Sequence, residues 1–305
     1  MLPSRAFVAD RGDARTRLDH AIVRRLSEVP HLSRTRVQRW IDEGLVLVNG
    51  RRARRAAAAV AAGDRVEVLA DEARAVPPKP AAEAIEVEVL YQDEHLLAID
   101  KPPGIVVHPT YKHTSGTLLN ALLWRFGEGD VIPRFVSRLD RDTSGVLLVA
   151  LSADVHARLQ RASAHGNIRK EYLAVVAGRP RKRAGTIALP LGRDPGDRRR
   201  VTVQDRGRES VTRYEVLGFV GGVTLLRCEL VTGRTHQIRV HLAASGWPIV
   251  GDRVYGRASS DISRQALHAW RLTLSHPISE RPLVVTAPVP ADIRVLGAGL
   301  VFPNP

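Results

Sequence analysis

Apolar residues divide the chain into two regions with different patterning. Leu18, Ile22 and Leu26 fall at helical spacing, and Val37, Trp40 and Ile41 repeat it after Ser33, whose hydroxyl can accept a backbone N–H at a helix start. Gly44 predicts the stop of that second helix. Residues 45–48 then read as a strand, Asn49-Gly50 as a tight turn, and residues 65–68 as an alternating strand after the Gly63-Asp64 turn. Together they predict a compact helix-helix-strand domain over 15–70, with an N-terminal tail at 1–14. From 71 to 84 the periodicity is lost, and Pro77-Pro78-Lys79-Pro80 favours an extended spacer, so a linker is expected there and a second domain over 85–305.

In the second region Ile85, Val87 and Val89 alternate with glutamates. Residues 96–99 predict the return strand of a hairpin, stopped by Pro102-Pro103 because proline cannot donate to a sheet ladder. Leu118 and Leu122, and Leu119 and Leu123, pair at helical spacing behind Gly116-Thr117, and Ser152 caps a further helix ending near Gly166. Residues 169–176, 210–217, 223–230 and 283–286 read as strands. Two stretches are dense in polar groups. Residues 136–145 are closed by Gly145 and followed at once by the apolar run 146–151, the pattern of a functional loop anchored on a buried strand. Residues 233–246 predict a helix capped by Thr235 and stopped by Gly246, carrying Arg239 inside it.

Charge narrows the partners. Lysine and arginine number 46 against 32 acidic residues in 305, a formal net charge of +14 that concentrates the chain near a polyanion, so nucleic acid is the expected partner. Arg34, Arg36, Arg39, Arg51, Arg52, Arg54 and Arg55 lie along or just beyond the second helix, where guanidinium groups can contact successive phosphates. The runs Arg179-Pro180-Arg181-Lys182-Arg183 and Arg198-Arg199-Arg200 predict exposed loops suited to phosphate contacts without base specificity. Cys228 is the single cysteine, which excludes an internal disulfide and a cysteine zinc cluster. His236 and His241 are five apart and lack the glutamate of a His-Glu-x-x-His pair, so no metal is expected. With no apolar run of bilayer length and no signal-peptide core at the start, a cytoplasmic protein without a membrane partner is expected.

No Ser-His-Asp order, phosphate-binding glycine loop or Cys-His arrangement stands out, which leaves a carboxylate as the candidate catalytic group. Arg138-Leu139-Asp140-Arg141-Asp142-Thr143-Ser144-Gly145 resembles the signature loop of the RluA-type pseudouridine synthases. Further blocks match in order: Lys101-Pro102 with Gly104 and His108-Pro109, Gly116-Thr117-Leu118, Lys170-Glu171-Tyr172, Gly233 through Leu242, Gly251-Asp252 with Tyr255-Gly256, and Leu267-His268-Ala269. The segment from Arg15 resembles the αL-motif RNA-binding domain named after a small-subunit ribosomal protein, through Arg17-Leu18-Asp19, Ser33 to Ile41, Gly44 to Gly50 and Gly63-Asp64-Arg65-Val66.

The resemblance implies an α+β pseudouridine synthase fold with a mixed, largely antiparallel central sheet behind a small RNA-binding domain. It implies isomerisation of a uridine in RNA, most commonly large-subunit ribosomal RNA in synthases with this appended domain, without a cofactor and without an obligate protein partner. A monomer is expected. Asp140 takes the nucleophile position, whether by attack at C1′, addition at C6 or proton removal at C2′. Arg239 takes the place of the basic partner of that aspartate, and Tyr172 that of a tyrosine which stacks on the target uracil and is a candidate for the C5 proton. Arg138 matches a residue that enters the RNA where the target leaves. Ser137 departs from the pattern, standing where the family commonly has histidine, and is expected to alter loop support or RNA fit. Three alternatives remain: a catalytically silent RNA-binding or ribosome-assembly factor on the same fold, a synthase acting on transfer RNA, and a glycosidase using Asp140 with Asp142, residues whose nearness gives no basis for the opposed placement such chemistry requires.

Overall fold

The structure, a computed structural model, describes residues 5–29, 32–69, 80–110, 113–127, 131–197 and 199–304. It divides into two compact units, Met1–Lys79 and Pro80–Pro305. The division falls inside the expected linker, of which residues 71–79 lie outside the described residues, as does Arg198 of the second basic run. Residues 80–84 are corrected from linker to part of the second unit: Asn120 Nδ2 donates to the Ala81 carbonyl at 2.7 Å, and Glu83 N donates to the Asn120 carbonyl at 3.1 Å.

The first unit comprises β1 (Arg5–Val8), α1 (Leu18–Arg25), α2 (Arg34–Asp42), β2 (Val46–Val48), β3 (Arg51–Arg52) and β4 (Arg65–Val68). Its antiparallel sheet has the order β1-β4-β2-β3, with the two helices packed through Leu18, Ile22, Val37, Trp40 and Ile41 onto Val46 and Val66. The expected tail is corrected at its described part, where Arg5 through Val8 pair with Val68 through Arg65. Only Phe7 of that strand packs on the core, too little alternation to reveal a strand in the sequence. Ser33 does cap α2, accepting the Arg36 N–H at 3.3 Å, and Asn49 and Gly50 both take positive φ in the turn into β3.

The second unit runs β5 (Glu88–Gln92), β6 (Leu96–Lys101), α3 (Leu118–Phe126), β7 (Arg134–Phe135), β8 (Ser144–Ala150), α4 (Ala153–Ala164), β9 (Arg169–Ala177), β10 (Ala184–Ala188), β11 (Leu191–Arg193) and β12 (Val201–Val203). It continues with β13 (Val211–Val220), β14 (Val223–Leu230), α5 (Gln237–Ala244), β15 (Leu267–Ser275), β16 (Pro282–Thr286) and α6 (Ala291–Leu296). The main sheet has the order β10-β13-β14-β9-β15-β8-β6-β5, with β16 beside β15 and β7 beside β8. Among the described strands the β15–β8 pairing alone is parallel, so the fold is α+β with a mixed, largely antiparallel sheet. The alternation from Ile85 produces a strand only from Glu88, where partners on β6 begin at Asp100.

Burial on both faces explains why residues 146–151 read as an unbroken apolar run. Val146, Leu148 and Ala150 pack with Val155 and Leu159 of α4, whereas Leu147 and Val149 pack with Leu118 and Leu122 of α3. β8 is thereby a rigid base for the polar loop that precedes it.

Candidate active site

The loop before β8 enters the sheet at its parallel junction, where His268 pairs with Ser144 and Ala269 with Gly145. Gly145 sits at φ +111°, and a Cβ there would lie 2.1 Å from the Ala269 carbonyl oxygen, so the two strands meet only because this residue has no side chain. Lys101, at the end of β6, is fully buried below the loop. Its ammonium donates to the carbonyls of Pro102 and Arg141 at 2.7 Å each and of Thr143 at 3.0 Å. Burial pushes its pKa down to about 8, and the three carbonyl dipoles supply the solvation that water would otherwise give. Arg264 adds a bond to the Asp142 carbonyl at 3.1 Å, and Ser144 Oγ meets His268 Nδ1 at 2.9 Å.

Thus fastened, the loop points Asp140 at α5. Arg239 Nη1 donates to Asp140 Oδ2 at 2.8 Å. The same guanidinium donates through Nε and Nη2 to the two oxygens of Asp252, at 2.7 and 2.9 Å. Asp252 is itself held by the Val254 and Tyr255 N–H groups. Burial works to raise the Asp252 carboxyl pKa, but Arg239 outweighs it and holds the group below the usual carboxylate range. Arg239 therefore carries a fixed charge between two carboxylates, with its Cζ 5.1 Å from the Tyr255 ring centre. The Arg239 side chain is 7% exposed and that of Asp140 24%, so the pair is anchored inside and open outside.

Helix α5 starts one residue later than expected. Thr235 is not its cap; His236 holds that position in the left-handed region at φ 55°. Gln237 accounts for the local path, because its side chain accepts from Arg234 N and Thr232 Oγ1 and donates to the Val211 carbonyl and Thr212 Oγ1. His236 is thereby turned toward the loop, its Nε2 3.8 Å from Asp140 Oδ1 and its Nδ1 2.8 Å from Tyr255 Oη. His241 faces elsewhere, onto Thr212 and the Leu189 carbonyl.

Asp140, His236 and Arg239 line a cleft of about 1150 Å³ walled by Val107, Phe135, Arg138, Tyr172, Ile238 and Leu267 among others. Tyr172 of β9 pairs with Ala269, which pairs with Gly145, so strand register sets the ring across one intervening strand from the loop's end. Burial, reinforced by Asp140, pushes the Tyr172 phenol pKa up. Arg138 is exposed on the cleft wall. His108 also lines the cleft, edge-on to Phe135 at 5.0 Å, and burial followed by Arg138 lowers its pKa. Asp140, Tyr172, Arg239 and Arg138 are therefore brought together, and Ser137 lies beside them in the cleft wall. Asp142 is engaged by Arg141 at 3.0 Å.

On the first unit Arg39, Arg51 and Arg52 are exposed, and Arg34 lies 3.4 Å from the buried Asp19. Arg36 differs from expectation: it is buried, with its guanidinium over the Trp40 ring at 5.2 Å, because position 36 falls on the inward face of α2. Sequence reasoning also missed what Asp252, Tyr255 and His236 do. Asp252 and Tyr255 stood together in one matching block, but nothing in the sequence paired that block with Arg239. Among the described residues no group of histidine, cysteine or carboxylate side chains is placed to hold a metal, and no helix is long and apolar enough to cross a membrane.

Residues 95–244 match the family model described as RNA pseudouridylate synthase, and residues 16–66 match the S4 domain. The ribosomal large subunit pseudouridine synthase D of Nitrosomonas europaea is 42% identical over 291 residues, covering 92% of this chain and 83% of that protein. A protein of Chloroflexus aurantiacus described as an uncharacterized RNA pseudouridine synthase is 45% identical over 274 residues, covering 88% and 85%. The solved human RNA pseudouridylate synthase domain containing 4 superposes with a TM-score of 0.57 at 25% identity, covering 71% of this chain and 95% of that one. Fold and matches together define an isomerase that acts on RNA. The chain belongs to the RluA-type RNA pseudouridine synthases and carries an S4 domain on its amino-terminal side.

Proposed function

We propose that the protein converts uridine to pseudouridine in large-subunit ribosomal RNA, with Asp140 as nucleophile. The observation that carries this reading is the Asp140–Arg239 pair inside the cleft: Arg239 occupies Oδ2 and leaves Oδ1 for reaction. The N1–C1′ bond breaks with its electron pair going to uracil, the base turns, C5 bonds to C1′, and the proton lost from C5 is balanced by one gained at N1. Attack at C1′, addition at C6 and proton removal at C2′ all call for a carboxylate with one oxygen tethered and one free. The atoms balance without a cofactor.

Tyr172 offers a ring face to the target uracil, a contact contributing roughly 1–3 kcal/mol. Its raised phenol pKa favours this role over that of a base for the C5 proton. Arg138, exposed beside Asp140, takes the space the target nucleotide leaves, offsetting an unstacking cost of a few kcal/mol. Arg34, Arg39, Arg51 and Arg52 of the S4 domain grip phosphates without reading base sequence. The relatives named for the ribosomal large subunit support ribosomal over transfer RNA. On this reading the enzyme works in the cytoplasm as a monomer. Site-resolved pseudouridine mapping in cells lacking the protein, complemented with wild type or Asp140→Asn, tests both parts. An unchanged large-subunit map rejects the substrate, and restoration by Asp140→Asn rejects the nucleophile.

A further inference from the structure

Arg239 secures one oxygen of Asp140; the oxygen left for reaction, Oδ1, faces His236 Nε2 at 3.8 Å. What that nitrogen presents is decided on the other side of the ring. Tyr255 Oη accepts the Val201 N–H at 2.9 Å and lies 2.8 Å from His236 Nδ1. Among the described residues Nδ1 is the one acceptor within reach of the phenol hydrogen, so that hydrogen goes to Nδ1, which leaves the hydrogen of a neutral imidazole on Nε2. Burial lowers the His236 pKa, opposed by Asp140 and reinforced by Arg239, so the ring is neutral and its two nitrogens keep distinct roles. Backbone and packing fix the ring further. Residue 236 is in the left-handed region, which disfavours a side chain of this size, and the imidazole lies edge-on to Tyr255 at 5.6 Å.

We propose that His236 is a positioning residue for the reacting oxygen of Asp140, with its Nε2–H setting the direction of Oδ1 and Tyr255 setting the tautomer that makes it a donor. This rests on Asp140 being the nucleophile. A shift of about 1 Å brings the pair into hydrogen-bond range, the tightening expected as a reactive complex forms. Arg239 and His236 then hold the carboxylate from two sides: a permanent cation on the tethered oxygen, and a neutral donor on the free one that orients it without neutralising it.

Two substitutions separate orientation from fold. His236→Asn tolerates the left-handed backbone and keeps a polar atom near the Nδ1 position, but lacks the arm toward Asp140. His236→Gln places an amide N–H near the Nε2 position. The readout is tritium release from total RNA, labelled at uridine C5 and taken from cells lacking the protein, measured as a single-turnover rate at saturating enzyme and as the half-saturating enzyme concentration. His236→Asn is expected to lower the rate roughly 100-fold, with the half-saturating concentration within about twofold of wild type. His236→Gln is expected to recover at least about a tenth of the wild-type rate, and Tyr255→Phe to lower the rate without weakening RNA binding. An unchanged rate in His236→Asn, equal losses in the Asn and Gln variants, or a loss residing in RNA affinity or in a lowered melting temperature overturns the proposal. Asp140→Asn is run alongside: if it stays active the nucleophile assignment itself fails, whereas an inactive Asp140→Asn beside a fully active His236→Asn rejects the role of His236 alone.

Discussion

Arg239 commits two of its donors to Asp252, at 2.7 and 2.9 Å, and reaches Asp140 with a third. Asp252 therefore aims the guanidinium that aims the candidate nucleophile. Asp252→Asn removes the countercharge from a buried arginine and one acceptor of a bidentate pair. It is expected to lower the single-turnover rate at least about tenfold and to destabilise the fold by about 3 kcal/mol. Tritium release and urea denaturation check the two effects, and full activity with unchanged stability contradicts them.

Gly145→Ala tests the parallel junction. Its Cβ would lie 2.1 Å from the Ala269 carbonyl oxygen, and φ +111° is unfavourable for any side chain. Separating β8 from β15 there disturbs the bonds that hold the loop. A loss of about 3 kcal/mol or more in denaturant unfolding is expected, with activity falling below detection.

Asp100 gives a pH signature. It lies opposite Glu88 across the β5–β6 pair, and burial, helped by Glu88, raises its pKa from 3.8 to about 6. A carboxyl with a raised folded-state pKa binds protons more readily in the folded chain, so its contribution to stability falls as pH rises from about 4 to about 6. Asp100→Asn is expected to be more stable than wild type above pH 6, by about 1–2 kcal/mol after allowance for solvent screening. That difference should vanish below pH 4. Urea midpoints of both proteins from pH 3.5 to 7.5 measure it, and a difference independent of pH contradicts it.

The arginines of the S4 domain separate into two kinds of expected outcome. Arg51→Ala with Arg52→Ala removes two exposed charges and should weaken RNA binding while reducing the slope of log affinity against log salt by about 1–2. Arg36→Ala removes a buried guanidinium stacked on Trp40 and should act mainly on stability, by about 1 kcal/mol. Binding titrations at several salt concentrations, with thermal melts, distinguish the two.

Much of this was legible in the sequence because local pattern and local structure agree. Ser33, Thr117 and Ser152 each cap the helix they predict, and the run 146–151 is buried on both faces. Thr235 misled because the cap depends on Gln237 reaching across to β13, a contact no local pattern encodes. Residues 5–8 become a strand because β4 offers an edge, not because of their own alternation. The resemblance put Asp140 and Arg239 in one site, but the carboxylate behind Arg239 and the phenol behind His236 belong to the segment after α5, and their pairings emerge only in three dimensions.

The separation in sequence between Asp140 and what aims it has a consequence for a protein made beside RNA. Asp140 is synthesised 99 residues before Arg239, and Asp252, Arg264 and the β15 strand that seats its loop come later still. A nascent chain thus carries this acid with no guanidinium to steer it until α5 and the residues that follow have been made. The arrangement around Asp140 is complete only once the C-terminal third has joined the sheet.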